Sequence, residues 1–552
     1  MQFWNRIHTW LNHRENLLFL ALILAHLIPL WAFQYFPSQD GPTHIENADI
    51  IYEYFHPDRA LLREYYSFNK NLEPTWLGHL VLAGLMAIVP VLLVEKVFLS
   101  GYILLFPLSI RYALNAIRPG SGFLTLLMFP FIYHYPLHMG FYSFSYSLPV
   151  FFFSMGYWMK HREQLTSRRT VGLAFLSLML YFSHVVSLVM AYVGMALLSL
   201  WPIVFEKTQE KVARRFDFQI LWEAVKRRFL PLLLAFLPTM ILFLFFLFKQ
   251  GLKSPETGIR RSFYWLLKDL THIESLVSFQ REESFFSMGL GILFAAVFLY
   301  LVMSRIRQRR SDRWDGLLAV VLGYLLIYLF APNAMSEGSF ITDRLNLYPF
   351  FALVLWFGGQ SYLRSVKGGI MLVAIVITVA SLGLHALKYS ELDDYLAEYL
   401  SGMHLIHPNS TLLPLAFDSR GHAPDGRILS LKVRPFLHAA GHIAAQRHVV
   451  DFTNYEAGAY NYFPTIFRPN LNPYAHIGMK NRSIVWEPPQ VDFLTYAGRT
   501  GGQVDYVLVW GMQERQQNHE ATKSIHQQLK KGYDLIYTSP KTGLMQLYKR
   551  KT

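Results

Sequence analysis

Apolar residues arrive along this chain in long uninterrupted runs, and the polar stretches between them are rich in Lys and Arg. Runs of about 20 apolar residues match the length needed to cross a bilayer's hydrocarbon core. The first, residues 17–36, follows Arg6 and Arg14 and has no small-residue cleavage site, so it predicts an uncleaved span with a cytoplasmic N-terminus. Residues 37–75 then lie outside, and their seven acids against three bases suit that side. Basic clusters at 160–169, 207–228, 305–313 and 364–367 mark cytoplasmic loops, so the runs between them must cross in pairs. Run 171–205 divides near Ser183-His184 into two spans, 230–248 pairs with 286–303, 317–330 pairs with 348–356, and 369–387 leads out. Between the first outer loop and Lys160 parity demands an odd number of crossings, yet four runs stand there, at 76–94, 97–117, 123–133 and 141–158. Run 76–94, broken by Pro90, is assigned to the interface. The pattern predicts a polytopic α-helical membrane protein of about 11 spans with its C-terminal region outside.

From residue 388 the pattern changes to that of a water-soluble domain. Short β-rich runs at 411–417, 427–433, 506–510, 535–538 and 544–548 alternate with helical patterns at 436–446 and 519–531. That alternation predicts an α/β fold. The expected organisation is therefore a multi-span domain over 1–387, carrying catalytic outer loops, and an extracytoplasmic α/β domain over 388–552.

Composition narrows the functional classes. The 552 residues are 53% hydrophobic and only 16% charged, with no Cys, which excludes a cytosolic enzyme, a disordered chain, disulfides and thiolate chemistry. The net charge of +14 sits between the apolar runs, so it reads as topology and not as a nucleic-acid surface. The location expected is the cytoplasmic (inner) membrane, with membrane lipids as neighbours.

The candidate chemistry lies in the outer loops. Asp40 arrives directly after the first span, within Asp40-Gly41-Pro42-Thr43-His44. Asp40-Gly41 is a turn dipeptide, and Thr43 with Glu46 has capping-box spacing. Ile45, Ala48, Tyr52 and Phe55 recur at helical spacing and are expected to lie on lipid. The residues alone leave Asp40 as either a turn residue or, with His44, an acid/base pair facing a cavity. The second outer loop holds His134 and His138, which could line a site, ligate a metal at i,i+4 spacing, or pack among tyrosines. His184 stands at an outer hairpin. Arg260 and Arg261 open an amphipathic helical stretch on residues 263–277, where paired guanidinium groups either attract anionic lipid or hold a phosphate. Glu337, Asp343 and Arg344 precede a late span, where acid and Arg either pair with each other or serve a phosphate, for which cationic Arg344 is the better ligand. His438 and His442, with His448 nearby, have metal-ligand spacing but no accompanying Glu, and no metal site is assigned there.

The first outer loop and the overall plan resemble the GT-C superfamily of integral-membrane glycosyltransferases. The resemblance implies a lipid-phosphate-linked sugar donor, with Asp40 as the general base on an acceptor hydroxyl and His44 assisting it. It implies a glycan, lipid or protein acceptor at the outer face of the membrane. Many members carry a second acidic motif in the next outer loop, sometimes with a metal; here residues 134–144 contain no carboxylate, so the expectation is metal-independent transfer without a cofactor. The competing class is a transporter or flippase of a lipid-linked glycan. Against it stand the absence of a charged residue clearly inside a span, of an inverted repeat, and the large soluble domain.

Overall fold

The computed structural model describes residues 14–209, 218–250, 258–308, 312–335, 338–460, 462–480, 482–512 and 516–551. Arg6, Glu337 and part of the basic stretch 207–228 lie outside these residues. Among the described residues, seven helices are long and apolar enough to cross a membrane: Glu15–Ala32, Val91–Ile117, Val185–Pro202, Phe229–Lys249, Glu283–Gln308, Arg313–Phe330 and Arg364–Leu405.

The other expected spans take different forms. Run 123–133 is a 3-10 helix, Ser121–Phe131, whose residues are all buried. Run 348–356 is the helix Tyr348–Gly358, eleven residues long and packed in the core. Both are about half the length of a crossing helix. Tyr142–His161 has the length but is too rich in Ser and Tyr to stand out by hydropathy. Ser145 and Ser154 return their hydroxyls to carbonyls one turn back, at 3.0 and 2.7 Å, and so sit in an apolar setting without a lost hydrogen bond. Trp76–Met86 is likewise short, and Pro90 separates it from Val91–Ile117. That last helix is less free of charge than the sequence reading held, since Glu95, Lys96 and Arg111 lie within it.

The C-terminal sheet has five strands in the order Val450–Asp451, Thr411–Ala416, Tyr506–Trp510, Met545–Arg550, Tyr533–Thr538. The first three run parallel and the last two pair antiparallel. Tyr506–Trp510 is buried along its whole length, as expected of a central strand covered on both faces. The strand expected at 427–433 does not form. Leu431 and Lys432 instead donate their backbone N–H groups to the carbonyls of Phe279 and Ser278, at 2.8 and 3.1 Å, so this segment is tied to a loop of the helical part. The helices expected at 436–446 and 519–531 are Ala440–Arg447 and Glu520–Gly532.

Helical and sheet parts share their structure at several places. One helix, Arg364–Tyr399, runs through residues 387 and 388 and buries Tyr389, Leu392 and Leu396 beyond them. Tyr66–Phe68, in the loop after the first long apolar helix, pairs antiparallel with Thr465–Phe467. The loop helix Gly41–Glu53 is buried from Gly41 to Ile50, so Ile45 and Ala48 do not face lipid; only Tyr52 and Phe55 are exposed. Gly441 supplies the close approach, because a Cβ there would run into the backbone of Pro42 and Thr43.

Candidate functional site

The chain leaves the first long apolar helix through Pro37, Ser38 and Gln39 and is laid onto the loop that holds His138 and Met139. The N–H groups of Gln39 and Asp40 donate to the carbonyls of His138 and Met139, at 2.9 and 3.2 Å. Asp40 then occupies the N-cap position of Gly41–Glu53, but its side chain makes no capping hydrogen bond. The turn-and-cap reading of Asp40, and the box between Thr43 and Glu46, are therefore not what the fold uses. Pro42 takes the N-terminal turn, where its missing N–H costs nothing, and the Asp40 carboxylate is left for other work.

That carboxylate faces a cavity of about 510 Å³. It is 5% exposed, accepts a hydrogen bond from Gln39 Nε2 at 3.0 Å, and lies 3.9 Å from His438 Nε2. Burial pushes its pKa up to about 7, against the lowering effect of Gln39 and His44. A carboxylate poised there is a base near neutral pH. If it acts as one, kcat/KM should rise about tenfold per pH unit below a midpoint near 7 and level off above it. A pH–rate profile that is flat between pH 5 and 8 would refute the assignment.

Arg344 enters the same cavity from the short helix Ile341–Leu345. It is 9% exposed, donates from Nη1 to the Ser339 carbonyl, and lays its guanidinium over the Phe141 ring at 4.1 Å. Its Nε has no hydrogen-bond partner, and among the described residues no carboxylate comes within ion-pair distance. Asp343 turns the other way, towards Arg261 at 3.7 Å. A buried cation without a direct ion-pair partner is costly, and an anion arriving in the cavity lowers that cost.

The cavity's walls differ in character. His44, His438, Tyr455, Tyr460 and Arg482 surround its polar end, with Arg482 over the Tyr460 ring at 4.6 Å. Its other side is apolar, with Val189 and Met190 from one crossing helix, Phe243, Phe246 and Leu247 from the next, and Ile327 from a third. His184 lines the cavity edge-on to Phe144.

The remaining candidates are placed elsewhere. His134 and His138 do not line the cavity and form no i,i+4 ligand pair. His134 Nδ1 accepts from Leu137 N at 3.0 Å, while His138 bonds Ser278 and Tyr389, at 2.7 and 2.5 Å, and stacks on Phe36. Arg261 and Asp343 belong to a second cavity of about 360 Å³, and Arg260 is exposed. There Arg261 pairs with Asp269 at 2.6 Å and Lys432 with Glu274 at 2.7 Å, so these cations already have their counter-charges. His442 is not near His438's contacts either; it packs on Tyr35.

One group was not visible in the sequence. His44, His79 and Glu456 are buried together, Glu456 fully, and their ligand atoms lie within 4.8 Å of one another. Among the described residues this is the one cluster with the donors for a metal ion. Burial alone would lower the His44 imidazole, but Glu456 and Asp40 outweigh it and hold its pKa above the ordinary value.

Gly140 sets the spacing of the loops that carry Asp40 and His138. Its φ is +82°, and a Cβ there would stand 2.5 Å from Gly41 N and 2.7 Å from Asp40 N. If Asp40 is a reacting group, Gly140→Ala should displace it and lower kcat/KM at least about tenfold while the helices stay folded, because a shift of about 1 Å in a reacting group costs up to about a hundredfold. Circular dichroism beside the rate measurement checks it.

No protein-family model matches the chain, and no curated protein matches it. Among solved structures it is similar to the oligosaccharyltransferase of Archaeoglobus fulgidus. The form tethered to an acceptor peptide containing the NVT sequon aligns at 12% identity and a TM-score of 0.44, over 99% of this chain and 75% of that one. The apo form aligns at 12% identity and a TM-score of 0.43, over 90% and 70%.

Proposed function

We propose that the chain is a membrane glycosyltransferase that moves a sugar from a polyprenyl-phosphate carrier to an acceptor hydroxyl at the extracytoplasmic face of the inner membrane. One observation carries the reading. A single cavity holds a buried carboxylate, Asp40, and a buried guanidinium, Arg344, that makes no ion pair among the described residues, at the end of an apolar wall built by three long apolar helices. A lipid-linked sugar phosphate has the same sequence of parts: a chain that stays in the bilayer, an anion, and a polar ring.

The acceptor oxygen attacks the anomeric carbon, its proton passes to Asp40, and the bond to the phosphate oxygen breaks with its electron pair going to the departing lipid phosphate. Arg344 holds that phosphate and stabilises the charge it gains. His44 and His438 fix the polar end around Asp40, and Tyr455 and Tyr460 offer flat faces to a sugar ring. Residues 134–144 bring no carboxylate into the cavity, so the steps are assigned to Asp40 and Arg344 rather than to a metal between them.

Purified protein in nanodiscs, offered one sugar on polyprenyl phosphate, polyprenyl diphosphate and a nucleoside diphosphate, tests the donor class. Transfer from the polyprenyl phosphate alone is expected. Transfer from the nucleotide donor refutes the reading. Movement of intact donor across the bilayer without transfer supports a flippase instead.

A further inference from the structure

We infer that His44, His79 and Glu456 bind one divalent transition-metal ion, zinc in the first instance, which fastens the C-terminal part of the chain to the loop that carries Asp40. The three ligands come from three segments: the loop helix Gly41–Glu53, the short helix Trp76–Met86, and the helix Tyr455–Ala459. His44 Nδ1 lies 2.8 Å from Glu456 Oε1, His79 Nε2 lies 2.8 Å from Glu456 Oε2, and the two nitrogens are 3.0 Å apart. Donors on a tetrahedral zinc stand roughly 3.3 Å from one another at bond lengths of about 2.0–2.1 Å. The cluster needs to open by only a few tenths of an ångström.

Proton bookkeeping points the same way. His44 Nε2 is 2.7 Å from the Gly140 carbonyl, which can only accept, so Nε2 carries a proton. In the neutral ring Nδ1 is then a bare lone pair. It stands 2.8 Å from Glu456 Oε1, an oxygen that no group other than His44 reaches among the described residues. A lone pair and a carboxylate oxygen at that distance repel unless positive charge sits with them. One proton on His79 Nε2 can serve Glu456 Oε2 or His44 Nδ1, but it leaves Oε1 unserved. A single cation serves all three donors.

The surroundings are those of a metal site. Asn47 Nδ2 donates to Glu456 Oε2 at 2.8 Å, and Asn454 Nδ2 donates to Asn47 Oδ1 at 3.1 Å, which orients the carboxylate from behind. His79 is 1% exposed and Glu456 is fully buried, so water does not compete for them. Two imidazoles with one carboxylate are a zinc donor set; the oxygen-seeking calcium and magnesium ions fit it poorly. Binding requires neutral imidazoles, so affinity falls as pH is lowered. The Asp40 carbonyl accepts the His44 N–H at 3.2 Å, so an ion on His44 holds Asp40 one helical turn away. The inference does not rest on the transferase reading, because metal content is measured without turnover.

The test is metal analysis of the full chain, purified in detergent without chelator and without a metal-affinity step. About one zinc per chain is expected in the wild type, and less than about a tenth of that in His79→Ala and Glu456→Gln. His442→Ala, outside the cluster, should keep its zinc. Cobalt-loaded wild type should show the visible bands of a four-coordinate nitrogen–oxygen site. The inference is overturned if the wild type carries no stoichiometric metal and takes up none from buffered zinc, or if both cluster variants retain it. The first result would leave the cluster as an imidazolium–carboxylate pair, and it needs no variant to fold.

Discussion

Asp40→Asn should lower kcat/KM for sugar transfer by about 10²–10⁴-fold, the range over which a positioned general base contributes. The substitution keeps the shape and the hydrogen bond from Gln39 but removes the group that takes the proton. Its effect on stability should have the opposite sign. The folded-state pKa of Asp40 is raised to about 7 from 3.8, so the unfolded chain ionises first, and this group costs stability progressively as pH rises from about 4 to 7. Above pH 7 the neutral Asn avoids that cost, and the variant should melt at the same temperature or higher. Lost transfer with unchanged or raised Tm separates a catalytic carboxylate from a structural one. A variant that keeps full activity removes Asp40 from the mechanism.

Arg344→Ala should cost about 10²–10³-fold in kcat/KM, the scale of removing a fixed donor from a developing anion. Arg344→Lys should recover little of it, because an ammonium is a point charge without the planar fork, and it lacks the face that rests on Phe141. Arg261→Ala serves as the contrast. Its partners are Asp269 and Asp343 in the second cavity, so transfer should change by less than about threefold. Binding of polyprenyl phosphate without sugar should follow the same order. Equal losses in the two Arg→Ala variants would place the anion between the cavities and contradict the assignment.

The elements that the sequence displayed well are those whose own residues decide their burial. Long apolar runs such as Val91–Ile117 and Glu283–Gln308 needed no partner to be recognised. Ser121–Phe131 and Tyr348–Gly358 are equally apolar but too short to cross, and hydropathy does not distinguish a core helix from a span at that length. Residues 427–433 alternate as a strand does, yet their backbone partners are Ser278 and Phe279, about 150 residues away in sequence and absent from any local pattern.

The site divides in the same manner. Asp40 was legible because its position after the first span is a matter of chain order, and Arg344 because a cation before a late span is conspicuous. His79 reads locally as one polar residue on an apolar helix, and Glu456 as one acid in a loop. Their meeting depends on a pairing across 377 residues. Arg260 and Arg261 stand beside Arg344 in the sequence as secondary phosphate candidates. Only the acids that fold onto Arg261 set it apart.

The most direct measurement is a single-turnover experiment in nanodiscs with a polyprenyl-phosphate sugar labelled separately in the sugar and in the lipid phosphate. The account predicts that one lipid phosphate is released for each sugar joined to acceptor in the wild type, and that both fall together in Asp40→Asn and Arg344→Ala. Donor that stays intact in the wild type with acceptor present, or release that continues unchanged in Asp40→Asn, would contradict it.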